Sequence, residues 1–72
     1  MSLEEKLALL EETLETDDGV LTPDTDLNEV EEYSSLTKLS LIVMMEDEFG
    51  VKLTGEEVRS FKTVGDILAK MQ

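Results

Sequence analysis

Ser34-Ser35-Leu36-Thr37-Lys38-Leu39-Ser40-Leu41-Ile42-Val43-Met44-Met45-Glu46-Asp47-Glu48-Phe49-Gly50 is the stretch on which the fold turns. Leu36, Leu39, Ile42, Val43, Met45 and Phe49 recur at three- and four-residue steps, the period of one face of an α-helix, with Met45 at the edge. Leu41 and Met44 fall outside that stripe, so the helix is apolar over more than one face, as a central element or a binding surface is. Adjacent serines supply a cap candidate at its start, and Gly50 suits a left-handed cap at its end.

Working outward, Ser2 and Glu5 have the spacing of a capping box, and Leu3, Leu7, Leu10 and Leu14 form an apolar stripe. A first helix is therefore expected over residues 2–14, with Glu4, Glu5, Glu11 and Glu12 mostly off its apolar face and Asp17-Asp18-Gly19 as its stop. From Thr16 to Tyr33 no period is sustained, and Pro23 lies among turn formers. Val20, Leu21, Leu27 and Val30 are expected to pin this long loop to the core. Downstream, Thr54-Gly55-Glu56-Glu57 repeats the capping-box spacing and opens a short helix to Ser60. Thr63 and Asp66 open the last one, expected from Val64 to Met71 and burying Val64, Ile67, Leu68 and Met71. The reading is an all-α four-helix bundle, a single domain over residues 1–72, with a short third helix and a long loop between helices one and two.

Composition narrows the function. Eighteen acidic residues against six basic ones give a formal net charge of −12. Such a surface repels nucleic acid and anionic lipid heads and attracts basic protein patches. Crowding of this charge is expected to raise carboxylate pKa values on average. The chain contains no cysteine and no histidine. It lacks thiolate chemistry, the commonest general base and the commonest zinc ligands, and it reads as no enzyme. Neither a leader nor an apolar run of the ~20 residues a membrane helix needs is apparent, so the expectation is a cytoplasmic monomer without a membrane span. Asp24-Thr25-Asp26-Leu27-Asn28 begins like a calcium loop, but Glu29 stands where that loop needs glycine and Ser35 where it needs glutamate. No metal site is assigned.

Ser35 has two readings. A serine at a helix start caps the helix. The same position is exposed at the positive end of the helix dipole, where an esterified phosphate is favoured. With no histidine to take its proton, chemistry at Ser35 has to be done by another enzyme.

Ser34-Ser35-Leu36, followed by Leu39, Leu41-Ile42-Val43, Met45 and Glu46-Asp47-Glu48-Phe49, resembles the Asp-Ser-Leu helix of the acyl carrier proteins. Leu53, Glu56-Glu57 and Thr63-Val64-Gly65-Asp66 continue the likeness, and Asp26-Leu27 and residues 3–14 extend it over nearly the whole chain. The resemblance implies a carrier of acyl or related groups as thioesters on a covalent phosphopantetheine arm at Ser35. It serves partner enzymes of fatty acid, polyketide or related biosynthesis. The alternative is an interaction module that has lost the arm. Leu36, Glu46, Asp47 and Glu48 are then the docking residues, and Leu39, Ile42 and Met45 line an acyl pocket. The implied partners are a phosphopantetheinyl transferase and acyl-transferring or synthase enzymes with basic patches. Ser34 replaces the usual aspartate, and Thr37, Lys38 and Ser40 replace early acidic positions, which implies a specialised member with its own partners.

Overall fold

The computed structural model describes residues 1–71 and contains four α-helices, α1 (Leu3–Leu14), α2 (Ser35–Phe49), α3 (Gly55–Ser60) and α4 (Val64–Leu68). A single 3₁₀ turn, Leu27–Glu29, lies in the loop between α1 and α2. The buried side chains form one cluster, with Leu10, Leu14, Leu41, Met45, Ile67 and Met71 fully enclosed. Burying a leucine or isoleucine side chain completely stabilises by about 1.5–3 kcal/mol, so each of these residues matters in so small a chain.

The capping box of α1 forms as its spacing requires. The Ser2 hydroxyl accepts the Glu5 amide at 3.2 Å, and the Glu5 carboxylate accepts the Ser2 amide at 3.1 Å. Of the leucine stripe, Leu10 and Leu14 are buried, Leu7 is half-buried and Leu3 is exposed. The helix stops before Asp17, because Glu15 already takes the left-handed conformation at φ 59°.

Glu11 departs most from its expected place. Its residue is only 5% exposed, and its carboxylate accepts the Leu21 amide at 3.0 Å. Amides of Leu21, Gly19 and Val20 together hold its pKa below the usual glutamate value. The helix thus folds the returning loop onto its own last turn through a buried anion.

Leu21 and Leu27 are buried and Val30 is half-buried, as expected, but Val20 is exposed. Backbone bonds do the rest of the pinning. The Leu27 amide donates to the Lys62 carbonyl at 2.8 Å, Val64 to Thr25 at 3.0 Å and Gly65 to Pro23 at 2.8 Å. A Cβ on Gly65 would stand 3.0 Å from the Pro23 carbonyl oxygen, so this close crossing requires glycine.

In α2 half of the expected apolar stripe faces solvent, and Leu41 and Met44 join Met45 on the inner face instead. Thr37, Leu41, Met44 and Met45 are buried, whereas Leu36, Leu39 and Val43 are 69%, 62% and 59% exposed. Both sets have helical spacing, so the period alone does not select the inner one. Ile42 and Phe49 are half-buried against the core. Gly50 closes the helix at φ 67°, its amide bonded to Glu46 while the Val51 amide returns to Met45 at 3.1 Å.

The Thr54 hydroxyl caps α3 by accepting the Glu57 amide at 3.1 Å. α4 is shorter than expected, ending at Leu68, and a turn carries Met71 back into the core. The Asp66 carboxylate replaces the usual glutamate in this last cap and accepts the amides of Lys62 at 2.8 Å and Thr63 at 3.1 Å.

Candidate functional site

The two serines that open α2 divide their tasks. Ser34 is the cap, with extended backbone and its hydroxyl facing the Thr37 amide at 3.5 Å. Thr37 completes a reciprocal box by accepting the Ser34 amide at 2.9 Å, and its hydroxyl donates to the Glu32 carbonyl. Thr37 is therefore a buried structural residue rather than part of the exposed face.

Ser35 is left as the first helical residue, exposed, with a hydroxyl that makes no hydrogen bond among the described residues. No carboxylate lies in the first turn of α2 to oppose an anion there. Helix starts present free amides and a positive dipole end, so a phosphoester on Ser35 meets a favourable field. The residues present fit a covalent phosphopantetheine.

Tyr33 fixes the approach to this site. Its hydroxyl donates to the Val58 carbonyl at 2.6 Å, tying the start of α2 to α3. Burial pushes its pKa up to about 12, so the phenol stays a neutral donor. The Lys38 ammonium lies 4.9 Å from the centre of the Tyr33 ring, a cation–π contact.

Two depressions border the exposed side of α2. The smaller, a cleft of about 260 Å³ between α2 and α3, is lined by Ser35, Lys38, Leu39, Ile42, Gly55, Val58 and Arg59. The larger, an open groove of about 750 Å³ between α1 and α2, has Leu9, Leu36, Leu39, Val43 and Met44 along it and Glu12, Glu15, Asp47 and Glu48 around it. The larger one does not include Ser35, so the smaller one is the site beside the candidate attachment point.

Of the expected pocket residues, Leu39 and Ile42 line the cleft with Ser35. Met45 does not. It is 0% exposed in the central core, because it follows Leu41 by one helical turn on the inner face. Gly55, Val58 and Arg59 were not foreseen, since only the packing of α3 brings them to α2. The docking residues Leu36, Glu46, Asp47 and Glu48 are all exposed. Leu36, Asp47 and Glu48 share the larger groove, and Glu46 lies outside it.

A helical bundle that offers an unbonded serine at a helix start, with no base of its own beside it, has the form that a carrier domain needs. The phosphopantetheine attachment site model matches residues 7–70. An acyl carrier protein of Arthrobacter sp. (strain FB24) is 35% identical, with 94% of this chain and 89% of the relative covered. A meromycolate extension acyl carrier protein of Mycolicibacterium smegmatis is 33% identical over 96% of this chain and 74% of its own. The solution structure of a holo acyl carrier protein from Geobacter metallireducens superposes with a TM-score of 0.68 at 30% identity, covering 99% of this chain and 82% of that one.

This chain belongs to the phosphopantetheine-bearing acyl carrier proteins. It carries acyl groups for fatty acid or related synthesis on a covalent phosphopantetheine, whose terminal thiol supplies the thioester chemistry. Members of this family are carriers rather than enzymes and act with transferase and synthase partners. No helix among the described residues is long and apolar enough to cross a membrane.

Proposed function

We propose that Ser35 is the attachment residue and that the whole of residues 1–72 acts as a single, non-catalytic, monomeric carrier domain in the cytoplasm. The observation that carries this reading is the exposed, unbonded Ser35 hydroxyl beside a cap already supplied by Ser34. Without histidine or cysteine the chain offers no strong base near Ser35, so a phosphopantetheinyl transferase installs the arm from coenzyme A. Leu36, Glu46, Asp47 and Glu48 then meet partner enzymes, with the acidic run steering basic patches and Leu36 giving apolar contact. Leu39 and Ile42 shelter part of the cargo in the cleft beneath the arm.

The test is a mass-spectrometric time course with coenzyme A and a broad-specificity transferase. Wild type gains one arm and Ser35→Ala gains none. Modification of Ser35→Ala overturns the assignment. Failure of wild type with every transferase tried, including its own, returns the interaction-module reading.

A further inference from the structure

The cleft beside Ser35 combines an apolar floor with two cations in a chain that has very few. Leu39, Ile42 and Val58 supply the floor, and Lys38 from α2 and Arg59 from α3 flank it. Lys and Arg number six against eighteen acidic residues, yet two of the six border this one cleft. Neither joins an ion pair among the described residues, where Lys70 with Glu57 at 3.4 Å forms the one found. The Lys38 ammonium rests 4.9 Å from the centre of the Tyr33 ring, a contact that leaves its charge unneutralised. The Arg59 guanidinium lies over Gly55, where a Cβ would approach it to 3.3 Å, so the glycine leaves room for the side chain at the opening.

Size and charge together select a ligand. At about 260 Å³ the cleft lies below the ~300–1,000 Å³ of sites that enclose drug-sized molecules. It suits a short chain. An alkyl tail alone makes no use of the two cations, whereas a carboxylate accepts charge-assisted hydrogen bonds from both. Resting on the carrier reading, we infer that the cleft between α2 and α3 receives a short acyl cargo ending in a carboxylate, gripped by Lys38 and Arg59. The arm's own phosphodiester is the other anion near Ser35. It is bonded to the first residue of α2 and meets the helix-start amides, whereas Arg59 stands across the cleft on α3.

The absence of cysteine makes a direct test available, because Ser35→Cys creates a unique thiol. Wild type is charged by a transferase from hexanoyl- or adipoyl-coenzyme A, and Ser35→Cys is alkylated with matched six-carbon chains ending in methyl or carboxylate. Amide shifts of Gly55, Val58 and Arg59 report occupancy of the cleft. In both backgrounds the carboxylate chain is expected to raise the bound-to-free ratio about fivefold over the methyl chain. The difference shrinks in high salt and disappears in Lys38→Gln/Arg59→Gln. Equal occupancy for the two chains, or a preference that survives the double substitution, overturns the inference. A preference confined to the phosphate-free Ser35→Cys pair also overturns it, because the cations then serve the arm's phosphodiester. If wild type takes no arm at all, the carrier reading fails on the mass spectrum. The Ser35→Cys pair then still decides for or against the carboxylate site.

Discussion

Glu11→Ala is the substitution whose cost follows most directly from the structure. The native carboxylate is buried at the end of α1, a position where the helix dipole opposes a negative charge and the last turn carries no basic residue. It is kept ionised by the loop amides, with Leu21 at 3.0 Å. A hydrogen bond to a charged group contributes about 1.5–3 kcal/mol, and its loss leaves a buried amide without a partner. The better helix propensity of alanine offsets only a few tenths of a kcal/mol. A net loss of about 2–3 kcal/mol is expected. With a urea slope of roughly 1 kcal/mol/M for so small a chain, the midpoint falls by about 2–3 M.

Urea unfolding followed by circular dichroism at pH 7 reads this, with Glu11→Gln as the companion. Glutamine keeps an acceptor oxygen and loses the charge, so it costs about 1 kcal/mol. The folded pKa of Glu11 is depressed, so its stabilisation is full above the unfolded value near ~4.3 and is lost as pH falls through the folded value. The gap between wild type and Glu11→Gln therefore narrows on acidification. A loss below about 0.5 kcal/mol for Glu11→Ala, or a gap indifferent to pH, would refute the reasoning.

Leu41→Ala empties a fully buried site and is expected to cost about 2–5 kcal/mol, whereas Leu39→Ala, at an exposed site, stays within about 1 kcal/mol; comparable losses by thermal melting would reverse the assigned faces of α2. Glu15→Gly relieves a left-handed conformation and is expected to raise stability by about 0.5–1 kcal/mol, which a lowered melting temperature would contradict. Reversing Glu46, Asp47 and Glu48 to Lys should slow association with a partner synthase in stopped-flow at low salt, with the difference fading at high salt. Ser34→Asp keeps the cap and adds a negative charge, so a noncognate transferase should modify Ser35 faster than in wild type, read from the same mass-spectrometric time course.

The helices were legible because their ends announce themselves locally. Ser2 with Glu5 and Thr54 with Glu57 form the capping boxes their spacing implied, and Gly50 takes the left-handed cap. The exposed position of Ser35 at the start of α2 was legible for the same reason, as the second of two serines at a helix start, while its role as the attachment residue is a proposal. What stayed hidden depends on contacts between distant residues. Glu11 looks like any glutamate on a solvated face until the loop returns ten residues later to place Leu21 against it. Leu41 and Met44 have the same hydrophobic period as Leu36 and Leu39, and only packing within the bundle decides which pair is inside. Charge repulsion predicted raised carboxylates, but Glu5, Glu11, Glu57 and Asp66 move down because backbone amides bond to them.

The placement of Thr37 changes what the missing acidic residues of α2 mean. Its buried hydroxyl bonds the Ser34 amide and the Glu32 carbonyl, so this position faces the start of the helix rather than a partner. The exposed face that remains runs through Leu36, Leu39, Ser40 and Val43 and meets acid only at its far end, at Glu46, Asp47 and Glu48. Carboxylates beside this face stand on α1, at Glu12 and Glu15, and at the end of α2. A partner that docks on it therefore needs an apolar centre, with its basic groups set to the α1 side and toward the Gly50 end. A flat basic patch centred on the first turns of α2 would instead meet Lys38 and the positive helix start, both of which repel it. On the docking proposed for this face, discrimination against such a partner would come from this repulsion as much as from any contact the right partner gains.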